Sequence, residues 1–209
     1  MKKNEIKLIV TISVALAATI ALIYLWVLNV PIDKTNVLKG MSFGLSITTA
    51  FWIFYFYWGW RVRPFSYIFY RPNLNGTWSG KLYSDWKDDK GNTIPAKEFH
   101  IVIRQSFHRI HFTTFTDGFV GTSYAETFRL DKDEGLKNVA YLFIKDTSQT
   151  SSSSIHEGAT ELRLIESNPR LLEGKYFSSQ KTNGKIEVSF IAENHVDSFQ
   201  DASGLKGNG

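Results

Sequence analysis

The feature that most constrains this chain is a run of 23 residues without a charged side chain, from Leu8 to Val30. As a helix it would span roughly 34 Å, enough for a ~30 Å hydrocarbon layer. A second uncharged run covers Gly40 to Trp60 after a short connection. A cleaved signal peptide has a shorter apolar stretch and no second span. The pattern predicts a transmembrane hairpin in residues 1–60, with helices at about 8–30 and 40–60.

Basic residues set the expected orientation of this hairpin. Three lysines precede the first helix and three arginines follow the second, whereas the connection holds only Lys34 and Lys39 beside Asp33. Excess positive charge marks the cytoplasmic side of a membrane protein. We therefore expect a two-pass protein with both termini in the cytoplasm.

Small residues recur at helical spacing within the two apolar runs. Gly40, Gly44 and Thr48 share one helix face, and Ala17 and Ala21 repeat the spacing in the first run. Such residues let helix backbones approach closely. The contact they predict lies either inside one hairpin or between two molecules.

The second run ends in FWIFYFYWGWRVR, residues 51–63, whose rings point all round a helix. Tryptophan and tyrosine favour the membrane–water interface, and Arg61 and Arg63 suit the headgroups. This segment is predicted to be the interfacial belt. Residues 61–73 then form a short linker that holds the next domain close to the membrane.

Charge is divided unevenly along the chain. Residues 1–71 hold eight Lys or Arg against two acidic residues, whereas residues 72–209 hold 16 basic and 18 acidic residues. A protein that binds DNA or RNA polymers concentrates positive charge on its folded domain. The distribution therefore argues against a nucleic-acid polymer as partner. Because the chain has no cysteine, it forms neither disulfides nor thiolate metal sites.

Residues 74–195 read as short strands separated by Gly, Asn, Asp and Ser clusters. Eight sequential strands in about 120 residues predict an antiparallel up-and-down barrel of lipocalin-like type. The expected strands are Leu74 to Tyr83, Lys97 to Gln105, Arg109 to Phe115, Phe119 to Leu130, Val139 to Lys145, Ala159 to Glu166, Leu171 to Phe177 and Lys185 to Ala192. The segment Ser148 to Ser154 and the tail 196–209 are expected to be disordered.

Alternation predicts which side chains face the barrel interior. One face of nearly every strand is apolar, as in Val120, Tyr124 and Phe128 of the fourth strand, but the fifth strand is apolar on both faces and its register stays open. A barrel of eight strands is filled by its own side chains or holds one small ligand.

Catalytic patterns are absent from the sequence. No phosphate-binding loop, dinucleotide fingerprint or GxSxG elbow occurs, and His108 and His111 would face opposite sides of a strand. Glu126 is the one acid expected on the inward face, where a hydrogen-bonded structural carboxylate is the better interpretation. We expect no enzyme activity, no catalytic or metal-binding residue and no cofactor.

The junction Tyr70 to Leu82, YRPNLNGTWSGKL, resembles the entry into the barrel of CD-NTase-associated membrane effectors, which serve bacterial cyclic-oligonucleotide-based anti-phage signalling. The two helices, the Pro-flanked linker and the β-only domain fit the same family. The Gly-x-Trp of Gly76 and Trp78 is also similar to the start of lipocalins. The first resemblance implies a cell inner membrane protein that binds a cyclic dinucleotide made by a partner nucleotidyltransferase, self-associates, acts on membrane lipids and kills the infected cell.

A cyclic dinucleotide offers two bases for stacking and two phosphates for cations. Under this reading four aromatic residues are expected to stack on the bases, and Lys145 and Arg170 to bind the phosphates. The aromatic candidates are Trp78, Tyr124, Tyr141 and Tyr176. The alternative is a membrane-anchored, lipocalin-like binder of a small apolar ligand without membrane-disrupting activity. A third possibility is an interaction scaffold with a filled barrel.

Overall fold

The computed structural model describes residues 3–69, 71–87, 91–131, 133–146 and 156–206. It separates into two compact units, residues 1–71 and residues 72–209. The predicted disordered segment Ser148 to Ser154 lies outside the described residues.

The first unit contains two long helices, α1 (Lys3–Val27) and α2 (Lys34–Tyr57). Both are long and apolar enough to cross a membrane. Each begins earlier than the hydropathy predicts, because a helix starts at its cap and not at its first apolar residue. Asp33 caps α2 by accepting a 2.8 Å hydrogen bond from the backbone N–H of Asn36.

The small residues pack α1 against α2 within one hairpin, which is the first of the two contacts that the sequence predicts. Gly40, Gly44 and Thr48 are buried. A Cβ added at Gly40 would lie 3.2 Å from the carbonyl oxygen of Ala21, and one at Gly44 would lie 3.3 Å from the Cα of Ala17. The indole of Trp52 donates a 2.8 Å hydrogen bond to Ser13 on the other helix.

The aromatic segment is only partly the exposed belt that the sequence predicts. Tyr57 and Trp58 are exposed, but Tyr55 and Trp60 are buried. After α2 the chain forms two short 3₁₀ turns, Gly59–Arg61 and Phe65–Tyr67, so residues 61–69 are not an extended chain. Phe69 returns to Tyr55, with ring centroids 5.7 Å apart. The rings therefore have a protein partner that hydropathy alone does not reveal.

The second unit is a closed barrel of eight antiparallel strands in sequence order, with β8 paired to β1. This confirms the predicted fold. The strands are β1 (Gly76–Ser84), β2 (Lys97–Gln105), β3 (Ile110–Thr116), β4 (Phe119–Asp131), β5 (Leu136–Asp146), β6 (His156–Ile165), β7 (Leu171–Ser178) and β8 (Asn183–Ala192).

A packed hydrophobic core fills the barrel towards the end at which β1 begins. Trp78, Ile101, Ile103 and Leu172 are fully buried in this core. Val139 and Tyr141 belong to the same cluster, so the fifth strand turns its odd-numbered residues inward. That observation resolves the register that the sequence left open.

A bulge in β4 overturns the expected orientation of Val120 and Tyr124. The pairing with β5 shifts register between Ser123 and Ala125, and Tyr124 is left without a partner across the ladder. One extra residue reverses the alternation. After the bulge Phe128 packs against the core as predicted. Before it the alternation is reversed, and Val120 and Tyr124 are 39% and 56% exposed on the outside.

The tail predicted to be disordered contains a helix, α3 (Phe199–Lys206). It contacts β1, β2 and β8 on the outside of the barrel. Ala202 is fully buried, and the ring of Phe199 meets the buried His100 edge-on at 5.0 Å. The hydroxyl of Ser203 lies 3.1 Å from His100 Nε2. Because α3 is held by contacts of a few side chains, such as Phe199, Ala202 and Ser203, the amino-acid composition of the tail gives little sign that it forms a helix.

Candidate functional site

A cavity of about 490 Å³ opens at the end of the barrel opposite the packed core. Residues from all eight strands line it, near the last residues of β1, β3, β5 and β7 and the first residues of β2, β4, β6 and β8. Its volume falls in the usual range for small-molecule sites, roughly 300–1,000 Å³. The barrel is therefore filled at one end and hollow at the other.

Aromatic side chains form much of the cavity wall. The ring of Tyr141 stacks on Phe112 of the core, with centroids 4.2 Å apart and an interplanar angle of 12°. Trp86, in the connection between β1 and β2, is 48% exposed at the mouth. The aromatic residues lining the cavity are Trp86, Phe99, Phe119, Tyr141, Phe143 and Tyr176. Flat apolar faces of this kind suit the stacking of planar heterocycles.

Two lysines, Lys97 and Lys145, supply the charge of the cavity. The ammonium group of Lys145 lies 3.6 Å from the centroid of the Phe119 ring. Burial, and then the nearby positive charge of Lys97, lower the pKa of Lys145. The described residues that line the cavity include no carboxylate. The site thus presents positive charge to an anion.

Neutral polar groups cluster on one side of the mouth. Gln180 Nε2 lies 2.9 Å from His156 Nε2, and the hydroxyls of Ser178 and Thr182 are 2.6 Å apart. All four residues line the cavity beside β6, β7 and β8. They give this side of the mouth several groups that can form hydrogen bonds with a ligand.

The two tyrosines of the wall keep their phenolic protons at neutral pH. Burial raises the pKa of Tyr141, and a hydrogen bond with Thr160 opposes that effect. Burial also raises the pKa of Tyr176, against a hydrogen bond with Ser84. Each phenol combines a stacking face with a hydroxyl that can donate a hydrogen bond.

The structure brings three of the six predicted site residues together in this cavity: Tyr141, Lys145 and Tyr176. Tyr124 lies outside the barrel because of the β4 bulge. Trp78 and Arg170 do not line the cavity. They lie at the filled end, since Trp78 opens β1 and Arg170 precedes β7.

Arg170 closes the filled end of the barrel. Its guanidinium donates a 2.8 Å hydrogen bond to the carbonyl of Asn73 and lies 4.1 Å from the centroid of the Phe190 ring. The ring of Trp78 is 5.4 Å from the same guanidinium, and its indole N–H donates to the carbonyl of Leu74. Arg170 has the parity of the inward residue Leu172, but at this end of the barrel that direction leads to the core and not to the cavity.

Sequence reasoning missed several residues of the site. Lys97 has the same parity as Phe99 and was recoverable from alternation. Phe119 was hidden because the bulge reverses the parity of β4. Trp86 and Gln180 lie in connections between strands, where no periodic pattern marks orientation.

A serine, a histidine and a carboxylate meet elsewhere, where β3 and β4 stop pairing at Thr113 and Thr122. Ser123 Oγ accepts a 2.9 Å hydrogen bond from the Phe112 N–H and donates to the carboxylate of Glu126. His111 Nδ1 faces both partners, at 3.1 Å from Ser123 and 3.5 Å from Glu126.

A catalytic triad uses the two ring nitrogens of histidine separately, one for the serine and one for the acid. Here the serine and the acid face the same ring nitrogen of His111, so the arrangement is not that of a triad. We interpret it as a structural link between β3 and β4. Glu126 thus matches the hydrogen-bonded carboxylate preferred above. Among the residues that the structure describes, no group of three or more His, Asp or Glu side chains is placed to hold a metal ion.

Fold and site together define a class: a barrel receptor for a small anionic ligand, preceded by two helices able to span a membrane. Residues 69–189 match the family described as "Cap15, cyclic dinucleotide receptor domain". This match covers more than half of the chain, which therefore belongs to that family. The chain is also 26% identical over 164 residues to the CD-NTase-associated protein 15 of Escherichia albertii, covering 73% of this chain and 81% of that protein. The predicted resemblance to CD-NTase-associated effectors is confirmed.

Proposed function

We propose that this chain is an anti-phage effector that binds a cyclic dinucleotide in the open end of its barrel. The ligand comes from a partner nucleotidyltransferase. The observation that carries the proposal is the pairing of Lys97 and Lys145 with aromatic walls, in a cavity whose described lining holds no carboxylate. Two phosphates and two heterocyclic bases are the groups that such a lining complements.

Within this proposal the lysines contact the phosphates and the aromatic walls stack on the bases. Tyr141 and Tyr176 remain stacking candidates from the sequence, and Phe119 and Trp86 join them. Tyr124 and Arg170 are withdrawn as ligand contacts, because neither lines the cavity. Trp78 is withdrawn for the same reason.

Ligand binding then drives self-association of the chain and disruption of the bacterial inner membrane, with both termini in the cytoplasm. Two helices able to span a bilayer and the basic flanks of the hairpin support this location. A ligand shifts an assembly equilibrium only through its differential affinity for the two states. The anchored chains are already confined to one surface, which raises their effective concentration.

The first test measures binding to the full chain in detergent micelles, by calorimetry with a panel of cyclic dinucleotides. The variant Lys97→Ala/Lys145→Ala should lose at least tenfold in affinity for the preferred ligand. Its matched control, Lys81→Ala/Lys185→Ala, removes the same charge from exposed positions outside the cavity and should bind as the native chain does.

The second test measures dye release from vesicles that contain the full chain. Release on addition of the ligand, and no release from the cavity variant, is the expected result. Binding without release would remove the effector role and leave a receptor. If no cyclic dinucleotide binds but an apolar fluorescent probe does, the lipocalin-like alternative is the better description.

A further inference from the structure

A row of apolar residues crosses four strands on the outside of the barrel. The ladder pairs Ala125 with Leu142, Leu142 with Ala159 and Ala159 with Phe177, so these side chains are direct neighbours. Leu142 is 41% exposed and Phe177 53%. Side chains so placed on a sheet form one continuous surface.

Three more exposed apolar residues extend this row. Tyr124 stands at the bulge beside Ala125, and Val120 and Ile144 lie on the same outer face towards the cavity end. We call these seven residues the β4–β7 patch: Val120, Tyr124, Ala125, Leu142, Ile144, Ala159 and Phe177. Contiguous apolar patches on a soluble domain, unlike apolar residues scattered singly, often mark interaction sites.

The opposite side of the barrel shows what a covered outer face looks like. There α3 packs on β1, β2 and β8, and the outward residues Thr77, Ser79 and His100 are buried. The residues of the β4–β7 patch include none that is buried. The described part of the chain therefore covers one side of its barrel and leaves the β4–β7 patch uncovered.

We infer that the β4–β7 patch is the surface on which a second copy of this chain docks. The assignment deepens the proposed function, because it rests on the self-association step. The closed barrel has no free strand edge, so two barrels cannot associate by extending the sheet and must use their outer surfaces.

The charges around the patch favour a copy of the chain over an anionic lipid surface. Outward positions in the two ladder rows beyond this one, together with Glu157 opposite Ile144, carry three acids and three bases. A surface with both signs of charge can be complementary to itself. The acids are Glu157, Glu161 and Glu173, and the bases are Arg129, Arg163 and Lys175. Binding to anionic headgroups requires an excess of positive charge, which this face does not have.

The patch is small, as suits an interface that forms only when copies are concentrated. Seven residues fall well below the ~20–30 residues per side of a stable complex. Chains held in one membrane share a plane, so weak contacts suffice there. The β4 bulge contributes directly, because it turns Tyr124 from the interior to the outer face.

The test compares clustering of the full chain in vesicles by energy transfer between labelled copies. Since the chain has no cysteine, Gly204→Cys supplies one labelling site, where an added side chain meets nothing within 4 Å. The patch variant is Leu142→Glu/Phe177→Glu. Its control, Tyr83→Glu/Leu171→Glu, changes two residues outside the patch that are 39% and 37% exposed.

Clustering of the patch variant should require at least tenfold more protein per lipid than the native chain, while the control clusters normally. Both variants should bind the cyclic dinucleotide within twofold of the native affinity, which shows that the barrel is folded. Normal clustering by the patch variant, or clustering that follows the anionic lipid content instead, would overturn the assignment. The protein-to-lipid titration needs no ligand, so a failure of ligand binding alone would count against the proposed function and not against the patch.

Discussion

The ammonium group of Lys145 lies 3.6 Å from the centre of the Phe119 ring and faces no carboxylate among the described residues that line the cavity. An aromatic face attracts a cation without neutralising it. Lys145 therefore keeps its charge available for a ligand, although burial and Lys97 both disfavour that charge. This pair leaves the charge of Lys145 to be neutralised by an anionic ligand.

The affinity for a cyclic dinucleotide should fall as the pH rises through the lowered pKa of Lys145, before ordinary lysines titrate near 10.5. The reason is that the phosphates interact favourably only with the protonated amine. Calorimetry between pH 7 and pH 10 measures this loss. In Lys145→Arg the guanidinium stays charged over the whole range, so the loss should move to higher pH. An unchanged profile in that variant would show that another group controls binding.

Replacing Lys145 by methionine should stabilise the unliganded chain while weakening binding. Because the pKa of Lys145 is lowered in the folded state, the unfolded chain holds more protons between that value and 10.5. Stability therefore rises with pH across that window, and below it the folded state carries the full cost of the charge. The expected rise in Tm at pH 7 is on the order of a few degrees.

Thermal unfolding of the full chain in micelles measures this effect at pH 7 and pH 10. The difference between Lys145→Met and the native chain should shrink at the higher pH. Lys81→Met, at an exposed position, serves as the control and should leave Tm unchanged. A lower Tm for Lys145→Met at pH 7 would contradict the assigned cost of burying this amine.

Two substitutions of Tyr141, whose ring stacks on Phe112, should separate the contribution of the ring from that of the hydroxyl. Tyr141→Phe keeps the ring on Phe112 and removes the hydrogen bond to Thr160, a loss of about 1 kcal/mol in the free energy of unfolding. Tyr141→Ala leaves a cavity in the core and should lose about 3–5 kcal/mol. Denaturant titration gives both values.

Ligand affinity then distinguishes the two roles of the Tyr141 side chain. If Tyr141 stacks on a base, Tyr141→Phe should bind within about threefold of the native chain. A much larger loss in Tyr141→Phe would show that the hydroxyl, and not the ring face, contacts the ligand.

The features that the sequence predicts well are those that depend on residue type and spacing. Two apolar runs and eight alternating segments suffice for the helices and the barrel, because hydropathy and a period of two are local properties. The inward direction of Tyr141 and Lys145 can be predicted once the register of β5 is known. That register is decided only by the packing of Val139 and Tyr141 in the core.

The features that it predicts poorly depend on long-range packing. The bulge at Tyr124 arises where the ladder between β3 and β4 ends, which no local pattern marks. Arg170 has inward parity, but parity does not say which end of the barrel is open, because that depends on which side chains fill the other end. There Trp78 and Phe190 occupy the interior, with ring centroids 5.3 Å apart.

Enlarging Gly44 should disrupt the hairpin, because Gly44 faces the backbone of Ala17 on the other helix. Gly44→Val should lower the Tm of the full chain in micelles and expose Trp52, whose indole donates to Ser13 across the helix pair. Trp52 is buried, so acrylamide quenching of its fluorescence measures that exposure, against the other five tryptophans as background. Ser46→Val, at an exposed position on the same helix, is the control. Equal quenching in the two variants would show that this close approach does not hold the helices together.

Coupling between ligand binding and the membrane helices should depend on the connection between Arg71 and Pro72. The two compact units separate there, whereas an insertion after Arg63 would break the packing that brings Phe69 back to Tyr55. A Gly/Ser insertion of about 20 residues after Arg71 adds a flexible chain with a root-mean-square length of roughly 25 Å. Such slack should leave the affinity for the cyclic dinucleotide within twofold and reduce ligand-dependent dye release from vesicles at least tenfold. Full dye release from the insertion variant would mean that the barrels act by gathering the helices together, without passing a movement through the connection.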